Sequence, residues 1–328
     1  APRLVVFDVA GQAYALALGV VREVMAVPSQ IAVAPRSEAL VLGVADYRGG
    51  LLPLFSLRGL LGLSTDLQVE LGQKVVVTAI GGVVVGLVVD RMRAIVPAEP
   101  SLLEPVPPVL AARTGGEARI SAILRREGGG GLISVLSPEG LFREEIMQRL
   151  GHFSEQGVAG EDGQGALSAT LSFLVFRLGE DEFALPIEVV EEVCAAPAQI
   201  TRVPKTPSFL EGVINLRGEV LPVVDQRRRF DMGPAPEGAQ RRLVVVSTDK
   251  HRAGLIVDSV SEVLRSSASQ LDAAPDLTGQ AGRLVNAVLN LDGGSRILLV
   301  LDPAELLTPA EARLLEGFET EGARPPGD

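Results

Sequence analysis

The chain has 328 residues, with 47 % apolar and 22 % charged side chains and a net charge of −11. That length suits two globular domains. No apolar run reaches the ~18 residues of a membrane span, and no basic stretch followed by an apolar core marks a signal peptide. Cys194 is the single cysteine, which excludes an intrachain disulfide and a cysteine-rich metal site and, with no targeting signal, favours the cytoplasm.

In chain order, the first half reads as short β-branched strands. "RLVVF" opens at Arg3, and "KVVVTAI" and "GGVVVGLVVD" follow at residues 74–80 and 81–90. A short helix is expected around "ALGVVREVM" (residues 17–25). "ISAILRREGGGGLISVL" reads as a hairpin, its glycines supplying positive φ at the turn. Ser137-Pro138 then gives an N-cap followed by proline at the first helical position, the start of a closing helix.

Residues 151–170 follow as a flexible acidic linker containing "SEQGVAGEDGQGALSAT", with three acids and no base. Seventeen such residues span roughly 20–25 Å on average.

The second half repeats the first. Shifted by 169, residues 7–58 lie over 176–227 without a gap and with 19 identities in 52 pairs. Glu23 matches Glu192, Gly43 matches Gly212, and Arg48 matches Arg217. After a one-residue slip, "GLVVD" (86–90) lies over "GLIVD" (254–258). The expected domains are 1–150 and 171–318, with 319–328 a disordered tail. Strands are expected at "LSFLVFRL", "RRLVVVSTD" and "RAGLIVD", and a hairpin at "LVNAVLNLDGGSRILLVL". A short helix at "PIEVVEEVC" would carry Glu192 after Val189 and Val190. A final helix over about 303–317 would keep Leu306, Leu307, Ala310, Leu314 and Leu315 on one stripe. Many short strands argue for barrels or a sandwich.

Catalytic constellations are missing. "GGGG" at 128–131 lacks the Lys-Ser/Thr of a phosphate loop and reads as a hairpin turn. There is no GxSxG or HExxH. Asp90 and Asp258 close apolar strands without a second acid or nucleophile at a fixed spacing, and read as turn residues. Cys194 reads as packed after an apolar helix stripe. His152 and His251 stand alone. Lys+Arg against Asp+Glu is 14 to 14 in residues 1–150 and 15 to 21 in 171–318, so there is no basic footprint for nucleic acid. Absent Trp and only two Tyr leave no aromatic stacking platform.

What remains is a polar set on an apolar scaffold. Glu192 and Arg217 sit in "PIEVVEEVC" and "GVINLRGEVLPVVD". An arginine in a tight turn between buried strands either meets an internal acid, with Glu192 the candidate, or points outward at a partner.

The segments "FLVFRLGEDEFALPIEVVEEV", "ITRVPKTPSFLEGVINLRGEVLPVVDQRRRF" and "GLIVDSVSEVL" closely resemble the CheW family of bacterial chemotaxis coupling proteins, over residues 172 to about 317. Residues 3 to about 148 resemble it more weakly, with Asn215 replaced by Asp46, Leu216 by Tyr47, Asp225 by Ser56, and Thr206-Pro207 by Ser37-Glu38. The resemblance implies a mainly β fold, with two SH3-like five-stranded β-barrels and short helices in each domain. It implies no catalysis, cofactor or metal. It implies a scaffold bridging the cytoplasmic tip of chemoreceptors to the regulatory domain of the histidine kinase CheA, and meeting other CheW-like domains, in cytoplasmic arrays at the membrane without insertion. By alignment, Val190, Glu192 and Arg217 match family positions of receptor contact, as do Val21, Glu23 and Arg48 in the first copy. The alternatives are a scaffold in which the second domain alone couples receptor and kinase, the first binding another partner, a localisation factor or the second copy, and a hydrolase built on β-barrels.

Overall fold

The computed structural model describes residues 2–32, 41–63, 69–80, 82–106, 119–125, 131–142, 170–203, 206–236, 238–249, 251–273, 284–291 and 296–306. The chain divides into two compact units near residue 167. The linker over 151–169 and the tail lie outside the described residues.

Domain 1 contains β1 (Arg3–Val9), β2 (Gln12–Ala17), β3 (Val21–Ala26), β4 (Val41–Tyr47), β5 (Gly50–Ser56), β6 (Lys74–Ile80), β7 (Val83–Val89), β8 (Arg91–Pro97), β9 (Leu103–Pro105), β10 (Ile120–Arg125) and β11 (Leu132–Leu136). Strands β8-β1-β2-β11-β10 form one SH3-like barrel with three-residue β9 at its edge, and β3-β6-β7-β5-β4 form the other. The second barrel is thus inserted between β2 and β8 of the first. Within each, neighbours are antiparallel except β2 with β11 and β5 with β7.

Domain 2 repeats this plan with β12 (Thr170–Leu178), β13 (Asp181–Pro186), β14 (Val190–Ala195), β15 (Leu210–Leu216), β16 (Glu219–Asp225), β17 (Arg242–Ser247), β18 (Arg252–Val257), β19 (Ser259–Ser267), β20 (Leu271–Ala273), β21 (Val285–Leu291) and β22 (Arg296–Leu301). The orders are β19-β12-β13-β22-β21-β20 and β14-β17-β18-β16-β15. Both expected hairpins exist, as β10–β11 and β21–β22.

The strands read as continuous apolar runs because both faces are covered. Leu4, Val6, Ala15, Ile133 and Val135 fill one barrel of domain 1, while Leu52, Leu54, Val75 and Val77 fill the other. The intervening Val5, Phe7 and Leu16 are buried on the opposite face. Phe55 meets Phe142 edge-on, with ring centroids 4.8 Å apart, which joins β5 to the segment closing the domain. The equivalent glycines Gly43 and Gly212 follow a bulge at φ +141° and +145°. A Cβ there would lie 2.6 Å from the Ala32 carbonyl oxygen and 2.1 Å from that of Thr201, so the bridges Ala32–Val44 and Thr201–Val213 require glycine.

The helix expected at "ALGVVREVM" and "PIEVVEEVC" is corrected. One turn of 3₁₀ helix, Leu18–Val20 or Ile187–Val189, leads into β3 or β14, so Glu192 and Cys194 lie on a strand. The ladder slips between Val21 and Glu23, and between Val190 and Glu192. This bulge breaks the two-residue alternation, so the apolar positions 21, 24 and 190, 193 acquire a spacing that resembles a helix. Half-buried Cys194 packs against the β16–β17–β18 core.

Both expected N-caps are present. Ser137 Oγ accepts from the Gly140 amide (3.2 Å) and Asp302 Oδ1 from the Ala304 amide (2.9 Å). Of the expected 303–317 helix, Pro303–Glu305 is a 3₁₀ turn and Leu306 is buried, while the rest lies outside the described residues. A further short helix, Leu57–Leu60 or Gln226–Arg229, is capped by Ser56 or Asp225, each side chain accepting an amide at 3.2 Å. The Asp-to-Ser difference between the copies therefore preserves the cap.

Candidate protein-interaction site

Asp90 and Asp258 are structural, in line with their reading as turn residues. Asp90 Oδ2 accepts from the Ala10 amide at 2.7 Å and Oδ1 from Arg58 Nε at 3.0 Å. Asp258 accepts from the Gly179 amide at 2.6 Å and from Arg227. Each ties the first hairpin turn of its domain to the short helix after β5 or β16. His251 Nε2 lies 3.2 Å from the Pro303 carbonyl oxygen. No cluster of His, Cys, Asp or Glu among the described residues is arranged to hold a metal ion.

The arginines of the repeated motif occupy two-residue hairpin turns. Arg48-Gly49 has φ of 54° and 76°, and Arg217-Gly218 has 57° and 87°. Two successive positive φ values make the hairpin turn whose twist matches the strands. A non-glycine residue in this left-handed region costs roughly 1–2 kcal/mol. The arginine therefore sits in a strained position that aims its side chain across the sheet.

That side chain meets a buried glutamate. In domain 1, Arg48 Nη2 lies 3.0 Å and Nε 3.4 Å from Glu23 Oε2. Tyr47 donates its hydroxyl to the same oxygen at 2.7 Å, and the Arg48 guanidinium lies 5.4 Å from the Tyr47 ring centroid. Burial first, and the Glu23 charge second, push the Tyr47 phenol up to about 12. For Arg48, burial acts to lower the pKa, but Glu23 and Tyr47 together outweigh it and the net shift is upward.

In domain 2, Arg217 Nη2 lies 3.1 Å from Glu192 Oε2, and Leu216 stands where Tyr47 stands in domain 1. The turn is braced by Asn215 Oδ1, which accepts from the Gly218 amide at 2.9 Å. Beside it a second network crosses three strands. Arg252 on β18 donates to Glu191 from Nε (2.6 Å) and Nη2 (2.7 Å), and to Glu219 from Nη1 (2.6 Å). The Glu191 hydrogen bond is the main cause of the raised Arg252 pKa, and the Glu192 charge adds to it. The bulge in β14 makes this arrangement possible by letting consecutive glutamates serve neighbouring arginines. Domain 1 has Arg22, Gly50 and Val84 in place of Glu191, Glu219 and Arg252.

Of the six residues expected at the site, Glu23 with Arg48 and Glu192 with Arg217 are brought together in the same way in each domain. The glutamate side chains are 7 % and 6 % exposed and the arginines 40 % and 33 %. Each glutamate therefore holds its arginine, as the internal-acid alternative expects, and each arginine side chain stays partly exposed. Val21 and Val190 are buried, and they shape the strand rather than its surface. Leu51 and Val220, two residues past the turn in equivalent positions, are exposed. Sequence reasoning missed Tyr47, Glu191, Glu219 and Arg252. Cross-strand register brings these together, and only the tyrosine's place beside the arginine carries a local signal.

The family model described as CheW-like domain matches residues 3–145 and again 172–311. The chain belongs to the CheW-like domain family. The chemotaxis protein CheW of Klebsiella aerogenes is 34 % identical over 146 residues, 44 % of this chain and 86 % of that protein. That of Rhizobium meliloti is 37 % identical over 143 residues, 43 % of this chain and 88 % of that protein. The crystal structure of the scaffolding protein TtCheW from Thermoanaerobacter tengcongensis is 32 % identical and covers 40 % of this chain and 88 % of its own, with a TM-score of 0.37. CheW-family proteins are non-enzymatic scaffolds of chemotaxis, which sets aside the hydrolase reading.

Proposed function

We propose that the chain is a tandem coupling scaffold that joins the cytoplasmic tip of chemoreceptors to the regulatory domain of the histidine kinase CheA, and contacts other CheW-like domains within cytoplasmic arrays at the membrane. The observation that carries this reading is the hairpin arginine held by a buried glutamate in both domains. A rigid two-residue turn presents Arg217 at a fixed angle, and preorganisation of this kind lowers the entropy lost on binding. Val190 and Glu192, with Val21 and Glu23 in the first domain, serve as the supporting strand, while Arg217 and Arg48 supply the outward contact. Two modules on one chain raise the effective concentration for the second contact where the linker reaches.

A second reading is that domain 2 alone couples receptor and kinase, while domain 1 binds another partner or a localisation factor. It is favoured by the Glu191–Arg252–Glu219 network beside Arg217, which has no counterpart among Arg22, Val84 and Gly50. Pull-down of receptor and CheA fragments by the full chain carrying Arg48→Glu or Arg217→Glu separates the two. Loss from both variants supports tandem coupling. Loss from Arg217→Glu alone supports the second reading, and retention in both removes the hairpin arginines from the interface.

A further inference from the structure

The two domains close at the same place with different chemistry. The Asp302 amide donates to the Leu284 carbonyl oxygen at 2.8 Å, and the Ser137 amide donates to that of Arg119 at 2.9 Å. These bonds are equivalent, since Ser137 and Asp302 are the matching caps and Arg119 and Leu284 each lie 18 residues before them. The closing turn follows, ending at buried Leu306 in domain 2 and buried Leu141 in domain 1.

What holds the turn differs. In domain 2, side-chain nitrogens reach its backbone carbonyls. Arg229 donates to the carbonyl oxygens of Glu305 (3.1 Å) and Leu306, and His251 Nε2 lies 3.2 Å from that of Pro303. Arg229 is buried, and its guanidinium lies 4.7 Å from the Phe209 ring centroid. In domain 1 the equivalent positions are Leu60 and Val83, both buried, and Phe142 packs edge-on against Phe55. A polar clasp in one domain thus replaces an apolar seal in the other.

A second difference lies three residues before Arg229, on the same face of the short helix. Gln226 stands where domain 1 has Leu57, and both are fully buried. Among the described residues, neither Oε1 nor Nε2 of Gln226 has a hydrogen-bond partner. A buried amide without partners is costly, and it regains hydrogen bonds once water reaches it. A buried guanidinium likewise recovers its hydration on exposure. Leucine and phenylalanine instead lose favourable burial. Opening the turn therefore wets two polar groups in domain 2, whereas in domain 1 it exposes Leu57, Leu60 and Phe142.

We infer that the closing turn of domain 2, Asp302–Leu306, is a releasable strap, with Arg229 as its latch and Gln226 as the buried group that favours release, while the turn of domain 1 stays shut until the domain unfolds. Such an opening is a local one, below the free energy of global unfolding. The inference is independent of the hairpin arginines. Its test is native-state hydrogen exchange of the full chain, read residue by residue by NMR. The Asp302 and Ser137 amides are the reporters, and the amides of β17, the strand between β14 and β18, give the global reference for domain 2. The Asp302 protection factor is at least about tenfold below those of Ser137 and β17. Gln226→Leu, which restores the domain 1 residue, raises protection at Asp302 about tenfold or more, the scale of one buried polar group relieved. Arg229→Gln lowers it further and leaves Ser137 unchanged. Leu57→Gln lowers protection at Ser137 about tenfold or more; if that variant shows no cooperative melt, Gln226→Leu decides. Protection at Asp302 equal to that at Ser137 or β17 would overturn the inference, since opening would then be global. A Gln226→Leu variant that raises protection in β17 but not at Asp302 would also overturn it, since Gln226 would then stay buried when the turn opens.

Discussion

Reversing Arg217 to glutamate perturbs stability and recognition by separable amounts. The substitution removes the 3.1 Å pair and places a second carboxylate beside Glu192, which is only 6 % exposed. Like charges about 4 Å apart at an effective dielectric near 20 repel by about 4 kcal/mol. With the Arg217 side chain 33 % exposed, a glutamate there turns toward water, and the net cost falls to about 1–2 kcal/mol. In a domain of this size that lowers Tm by about 2–8 °C. Losing an interfacial arginine and gaining a repulsive charge costs about 2–5 kcal/mol in binding, or at least about 30-fold in Kd. Calorimetry and titration with a receptor cytoplasmic fragment, on the same sample, read both quantities. The expected result is a modest Tm drop with affinity lost from the folded fraction. A large Tm drop with unchanged affinity per folded molecule would refute the reasoning and leave Arg217 as a structural residue.

Tyr47 and Tyr14 are the two tyrosines of the chain, and both phenols are shifted upward, Tyr47 to about 12. A raised folded-state pKa contributes stability present below about pH 10 and lost as pH rises toward 12, so tyrosinate absorbance should lack a full step at pH 10, and Tyr47→Phe should abolish the highest step. Gly212→Ala forces a Cβ to 2.1 Å from the Thr201 carbonyl oxygen at φ +145° and should destabilise domain 2 by more than about 2 kcal/mol, measured by denaturant midpoint. Residues 1–150 and 171–328, produced separately, should each melt cooperatively, since each contains a complete set of both barrels' strands; a half without a transition would show that it depends on the other.

The duplication and the β character were legible because β-branched runs and turn glycines recur at a fixed offset, and the caps at Ser137 and Asp302 because N-cap chemistry is local. The strand identity of Glu192 was not, since the bulge after Val190 disguises a two-residue period. Arg217 and Glu192 were recognisable as a pair from residue type, but Arg252 reaches Glu191 across three strands at a sequence separation of 61, and no local pattern encodes that register. The pairing of Tyr47 with Glu23 was hidden for the same reason, at a separation of 24.

Co-sedimentation of CheA with receptor-containing membranes, with and without the full chain, tests the coupling role most directly. The account predicts that CheA pellets with the membranes when the wild-type chain is present, and does so far less with Arg48→Glu/Arg217→Glu at matched folded concentration. Equal pelleting with the double variant, or none with the wild type, would contradict it.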